Sequence, residues 1–430
     1  MVHAITNTFK SVSSSSVTTI AGFLALCSMT YRLGSNIGIV MSKGVVIGVI
    51  ACVTVLPAMI LTFDKLIGKT SHKAILPNMD GLSKRIVKYR WVALVMFLVL
   101  LVPAAYGNAN YEIYYNIDSS LPKTIPSAIA NDKLSERFDM SNMHIVLMKN
   151  GDLTAKEKKE MNNQIEDVDG VKWVIGLNSV VGANLPESMI PEEIRSILQS
   201  DEYELMFVCS DYKSATDKVN AQIAEIDQIV KGYQKDAMVI GEAPLMKDLQ
   251  DVTDVDLKNV NIISIAAIFL IILITFKSLS IPVILVSVIE FAIACNMAVP
   301  YYAHTKLAFV TSIVIGTIQL GATVDYAILM TSRYHKERMN GQTKADAIGI
   351  AHKTSIKSIF TSGLGFFAAT FGVSLYSRID MIQSIVTLLA RGAVISMAVV
   401  ICLLPAMLWL FDGIIVRTSW DLRKTVLKKK

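Results

Sequence analysis

The sequence predicts a polytopic α-helical membrane protein, with about eight transmembrane helices and one extracytoplasmic α+β domain of ferredoxin-like type. Three observations lead there. Hydrophobic residues make up 53% of the 430 and charged residues only 18%, with a mean hydropathy of +0.48. A soluble chain of this length needs more charge to cover its surface. Apolar stretches near the roughly twenty residues that cross a hydrocarbon core recur along the chain. A long polar region between the third and fourth of them alternates strand-like and helix-like periodicity.

The apolar segments are 17–33, 37–63, 91–106, 259–276, 280–302, 307–331, 358–377 and 383–411. Segment 91–106 is short, and Trp91 and Tyr106 serve as its interfacial anchors. Loop charge orients the set. Lys65, Lys69, Lys73, Lys84, Arg85, Lys88 and Arg90 follow the second segment, and Arg333, Lys336, Arg338, Lys344, Lys353 and Lys357 follow the sixth. Arg417, Arg423, Lys424 and Lys428 to Lys430 form the tail. Eight crossings put all three regions on one side, which the positive-inside rule makes cytoplasmic. Both termini are then expected inside, and residues 107–258 outside, in a cytoplasmic membrane. The opposite short loops hold only Arg32, Lys306, Arg378 and Asp380.

Within the outer region, apolar runs at His144–Met148, Val171–Leu177, Tyr203–Cys209 and Ala237–Ile240 read as strands. Thr154–Val168 and Ser214–Tyr233 read as amphipathic helices, the second with Val219, Ile223, Ile226 and Val230 on one side. The order β-α-β-β-α-β is that of a split βαβ unit. Pro191–Leu198 reads as an inserted short helix, and a polar helix from Ala243 continues toward the fourth segment.

An internal repeat sets the expected organisation. Leu56-Pro57-Ala58-Met59, running on to Phe63-Asp64, matches Leu404-Pro405-Ala406-Met407, running on to Phe411-Asp412. Lys43-Gly44 matches Arg391-Gly392 at the same offset of 348 residues, and Lys10-Ser11-Val12 matches Lys357-Ser358-Ile359 within one residue of it. Residues 1–66 then hold the last two helices of a first repeat. A cytoplasmic linker at 67–90, a helix at 91–106, the outer domain at 107–258, a five-helix bundle at 259–412 and a basic tail at 413–430 complete the chain.

Asp325 is the leading site residue. It stands inside Leu307–Met330, where a carboxylate costs roughly 2.5–3.5 kcal/mol on insertion scales. It reads as a proton carrier, since burial disfavours the charged form, or as a hydrogen bond that fixes helix packing. Tyr326 is its candidate hydrogen-bond partner in the relay, or an interfacial packing group. Gly316 and Gly321 read as small residues allowing close helix approach. Thr361 and Ser362 are candidate supporting hydroxyls for Asp325, or back-bond to their own helix. Glu290 is a second intramembrane carboxylate, either titrating or binding cargo, or held in a structural bond. Gln319 lies off Asp325's face, which points it at another helix. His304, His335 and His352 read as solvated surface without metal-ligand spacing. The five cysteines show no disulfide or metal pattern, so no metal and no cofactor is expected. There is no phosphate loop, dinucleotide fingerprint or nucleophile set, which argues against an ATP-driven pump or an enzyme. The net charge of +5 belongs to membrane orientation and not to nucleic acid.

With these residues in place, the chain resembles the resistance–nodulation–division superfamily, specifically transporters of the mycobacterial membrane protein large (MMPL) type. The resemblance rests on Gly321–Tyr326 with Ser332-Arg333-Tyr334, Thr18–Phe23, the paired Leu-Pro-Ala-Met ends, Asn116-Ile117-Asp118 and Leu121-Pro122. It extends over essentially the whole chain. It implies a porter-type outer domain, a proton relay at Asp325 and Tyr326, and export of lipids or other hydrophobic or amphiphilic compounds driven by the proton-motive force. The expected partners are membrane lipids, an amphiphilic substrate and protons. Family members are usually twelve-span chains, so the resemblance also implies a fragment, a half completed by a separate N-terminal half, or a homo-oligomer. The alternative is a non-transporting receptor, a secretion-assisting or assembly subunit, or an inactive remnant.

Overall fold

The computed structural model describes residues 16–70, 79–115, 124–138, 140–177, 192–377 and 379–426. The repeat match at Lys10–Val12, the stretch Asn116–Pro122 and the tail Lys428–Lys430 lie outside the described residues. The chain divides into two compact units, one of residues 114–253 and one of 1–113 with 254–430.

The smaller unit is built on strands β1 (Asn142–Lys149), β2 (Val171–Ile175), β3 (Tyr203–Ser210) and β4 (Met238–Gly241), all antiparallel to their neighbours in the order β2-β3-β1-β4. Residues on β1 alternate between buried and more open positions, as a strand with one covered face must. Val146 and Met206 sit opposite each other in the β1–β3 register, and both are buried. Two helices cover them. Ala155–Glu166 inserts Met161 and Ile165, and Asp217–Tyr233 inserts Ile226 and Val230. The first begins with a reciprocal cap: Glu157 N–H donates to Thr154 Oγ1 (3.3 Å), and Thr154 N–H donates to Glu157 Oε2 (2.8 Å). A buried ion pair, Lys158 with Glu204, ties this helix to β3. A further helix, Pro126–Phe138, precedes β1 and was not expected from the sequence.

Among the described residues seven helices are long and apolar enough to cross a membrane: α2 (Arg32–Thr62), α3 (Arg90–Ala109), α4 (Glu242–Phe276, in the larger unit from Asp254 on), α5 (Ser280–Tyr302), α6 (Phe309–Met339), α7 (Lys344–Tyr376) and α8 (Asp380–Cys402). The expected first span is shorter, an apolar helix α1 (Ser16–Ser28) ending in a 3-10 turn. The chain turns there because the buried Asp256 carboxylate on α4 accepts from the amides of Thr30 and Tyr31, both at 3.0 Å. Gly34 and Gly38, one turn apart on α2, pack on Met29 and on the end of α1, and Ser42 one turn further is also buried. A Cβ on Gly38 would meet the Phe23 carbonyl oxygen at 2.5 Å.

The expected last span, 383–411, is two helices, α8 and α9 (Leu404–Thr418), broken at Leu403. Pro405 has no N–H to give the carbonyl four residues back, that of Ile401. His352 Nε2 takes that place at 3.0 Å, and its Nδ1 meets Ser83 Oγ at 2.7 Å. His352 is therefore sealed in the unit and not at a solvated surface, and His335 is half-buried against the Phe276 ring. The positive stretch between the sixth and seventh spans is mostly helix, since α6 and α7 are separated only by residues 340–343.

Candidate functional site: polar groups of the helix bundle

Asp325 stands half-buried on α6, one turn beyond Gly321. Residues four apart share a helix face, so the side of α6 that carries Asp325 is the one on which α1 seats. The seat is close. A Cβ on Gly22 would lie 3.5 Å from the Gly321 Cα, and Thr19 Oγ1 donates to the Gly321 carbonyl at 3.1 Å. Gly316 faces α4, where a Cβ would lie 3.2 Å from Asn261 Oδ1. Tyr326 is buried. Glycine and threonine at these positions let helix backbones approach closely enough for a side chain to bond a helical carbonyl.

The other expected residues lie elsewhere. Thr361 and Ser362 are exposed, and the Thr361 hydroxyl donates to its own helix at Lys357 (2.9 Å). Among the described residues neither hydroxyl is brought to Asp325. The buried residue next to them is Gly363, packed on Met397. Glu290 is half-buried on α5, and Ser287, one turn before it, bonds back to Val283 (2.7 Å).

Two clusters emerge that sequence reasoning did not assemble. In the first, Arg391 of α8 donates from Nε to Asn296 Oδ1 (2.8 Å) and from Nη2 to the Asn296 carbonyl (2.9 Å) on α5. Asn296 Nδ2 donates to Gln319 Oε1 of α6 (2.8 Å), and Gln319 Nε2 donates to Ser396 Oγ (3.0 Å). Gln319 thus bonds other helices, as its angular position implied. In the second cluster, the buried Asp412 of α9 accepts from the Tyr334 hydroxyl (2.5 Å) and from Arg338 Nη2 (3.1 Å), both on α6. The sequence signals were the angular position of Gln319 and the repeat, which flags Arg391-Gly392 and Asp412.

A third grouping surrounds Trp409 of α9. The Arg90 guanidinium lies 4.1 Å and the Lys344 ammonium 3.8 Å from its ring centroid, with Trp91 edge-on at 5.5 Å. Such contacts tie the first residues of α3 and α7 to the middle of α9.

These polar groups can hold a proton, position helices against one another, and present a fixed positive charge inside an apolar bundle. Among the described residues no group of histidine, cysteine and carboxylate side chains is arranged to hold a metal ion.

Comparison with known proteins places this architecture. The sequence pattern of the MMPL family matches residues 119–423. The membrane protein YdgH of Bacillus subtilis is 27% identical over 332 residues, 75% of this chain and 36% of that protein. The mycolic acid-containing lipids exporter MmpL11 of Mycolicibacterium smegmatis is 23% identical over 343 residues, 77% of this chain and 35% of the exporter. The siderophore exporter MmpL5 of Mycobacterium tuberculosis is 24% identical over 199 residues, 45% and 20% of the two chains. The matched region thus spans about a third or less of these curated relatives.

Proposed function

The chain belongs to the MMPL family, and on that premise we propose that it forms part of a secondary transporter exporting amphiphilic or lipid-like compounds at the expense of a proton gradient. The observation that carries the reading is Asp325, an ionisable group half-buried on a membrane-capable helix, on the face where α1 seats through glycine. A carboxylate is a costly way to fix packing where small residues already do so. Protonation would remove its charge and shift the packing of α6 against α1, and deprotonation would restore it. Tyr326 is the adjoining hydroxyl of this relay. The relatives named as exporters of lipids and siderophores support the direction of transport and the class of cargo.

In the proposed arrangement both termini and the Lys/Arg-rich connections face the cytoplasm and residues 107–258 lie outside. The strand order β2-β3-β1-β4 with two covering helices supports reading the outer unit as a ferredoxin-like, porter-type domain. A chain spanning a third of its relatives' length acts as one portion of the working transporter, whether within a longer polypeptide, with a separate half, or in a homo-oligomer.

The experiment is replacement of Asp325 by Asn in cells carrying the complete transporter, following efflux of a fluorescent amphiphile. Export should fall to background with unchanged abundance in the membrane, and Asp325→Glu should retain part of it. Wild-type export by Asp325→Asn, or export that survives collapse of the proton gradient, would refute the proposal.

A further inference from the structure

Arg391 is a cation in the bundle that the relay above does not use. It is the midpoint of α8, eleven residues from Asp380 and eleven from Cys402. A guanidinium keeps its proton at any accessible pH, so at that depth its charge must be met by protein dipoles, water or a ligand. The protein meets part of it. Nε and Nη2 are spent on the side chain and carbonyl of Asn296, and Asn296 is held by Gln319 and by the Leu388 carbonyl (3.1 Å). Every one of these partners is neutral.

Among the described residues no carboxylate lies within ion-pair distance of Arg391, and three of its five N–H donors find no acceptor. Asn296, Gln319 and Ser396 are sealed off, whereas Arg391 is half-buried, so the uncommitted side of its fork borders accessible space. The backbone is shaped around this arrangement. A Cβ on Gly392 would lie 2.8 Å from both Asn296 Nδ2 and Gln319 Oε1. Neutral amides orient a guanidinium without cancelling its charge, and a planar fork with free donors suits a carboxylate or phosphate.

We propose that Arg391 is a binding site, at mid-membrane depth, for the anionic head group (carboxylate or phosphate) of an acyl-chain amphiphile. Identifying that amphiphile as cargo rests on the transport reading; the binding itself does not need the proton relay.

The test uses the full chain in phosphatidylcholine nanodiscs, with radiolabelled dodecyl phosphate as probe and dodecyl maltoside as the uncharged control. Wild type should bind the phosphate saturably, at least tenfold more tightly than Arg391→Gln, and Arg391→Lys should retain part of the affinity. Dodecyl maltoside should not distinguish the variants. Asn296→Asp is the second variant: it puts a carboxylate where Nε already donates, pairing the guanidinium internally. It should lose probe binding while still entering the nanodisc as a monodisperse, helical protein, at some cost in melting temperature because the Nδ2 donations to Gln319 and Leu388 are lost. Unsaturable binding by wild type, or wild-type affinity in Arg391→Gln or Asn296→Asp, overturns the proposal. Asp325→Asn should bind the probe normally, so that an export result against the proton relay leaves this measurement untouched. Competition by added phosphatidylglycerol would assign the site to a bilayer lipid, and its absence to a dispersed amphiphile; both outcomes uphold an anion site at Arg391.

Discussion

Leu-Pro-Ala-Met followed by Phe-Asp occurs twice in this chain, and the two copies live in different surroundings. At 56–64 the copy occupies the end of α2 and the two residues after it; the helix runs through Pro57 as an interior residue and leaves Leu56, Met59 and Leu61 exposed. At 404–412 the helix is broken at Leu403, Pro405 opens a new one, and Leu404, Ala406 and Leu408 are buried. Asp64 is exposed; Asp412 is buried between Tyr334 and Arg338. Lys43 is exposed and Gly44 has nothing near it, while Arg391 is networked and Gly392 is hemmed in by Asn296 and Gln319. The freed carbonyl before each proline shows the cause most directly. That of Ile401 accepts from His352; among the described residues no side chain donates to that of Val53. A repeated sequence sets equal local preferences, and the neighbours supplied by α5, α6 and α7 decide whether a helix breaks and a charge is buried.

Paired substitutions across the repeat sharpen or break this contrast. The largest effect is expected at the aspartates. Asp412→Ala strands a buried guanidinium and should cost about 3–5 kcal/mol in denaturant unfolding of the reconstituted chain, whereas Asp64→Ala should leave the midpoint unchanged. Equal effects would mean the copies are not energetically distinct. Next, His352→Phe leaves the Ile401 carbonyl buried without its donor, for about 1–3 kcal/mol in the same assay. A neutral outcome would show that another group had taken over that carbonyl. Gly392→Ala must push Asn296 or Gln319 aside and should cost a similar 1–3 kcal/mol, while Gly44→Ala should be neutral or slightly stabilising. The smallest contrast lies at Trp409, whose counterpart is Leu61. Trp409→Leu removes two ring–cation contacts and should lower stability by about 1–2 kcal/mol, and Leu61→Trp should do nothing measurable.

Much of the larger unit was legible because membrane helices announce themselves by length and hydropathy alone. The seven long helices all fall on expected segments, and in the smaller unit Thr154 stands where a helix was expected to start and caps it. The exceptions share a cause. Segment 17–33 looked long enough to span, but Asp256, more than two hundred residues away, turns the chain at Thr30 and Tyr31. Segment 383–411 looked continuous because Pro57 and Pro405 have the same flanks, and only the second has His352 beside it. His352 looked like a loop residue because α7 begins at Lys344, in a charged stretch well ahead of the apolar run at 358–377.

For the site, Asp325 was visible as a carboxylate within an apolar run, and Gly321 as the small residue one turn away. Thr361 and Ser362 were drawn in by adjacency of spans, yet the rotation of α7 leaves both exposed and buries Gly363. Arg391 was seen only as half of a repeat match, because Asn296 lies 95 residues before it in the chain and Gln319 on yet another helix.

The order of residues by itself determined which stretches are apolar enough to enter a bilayer, where strands and amphipathic helices alternate, and which ionisable groups sit inside apolar runs. Those properties depend on hydropathy and period, which are local. Tertiary structure alone decided where α1 and α8 end, which copy of the repeat is buried, and that Arg391, Asn296, Gln319 and Ser396 form one network across three helices. Hydrogen bonds and ion pairs act over a few ångströms, and only packing brings residues so far apart along the chain within that range.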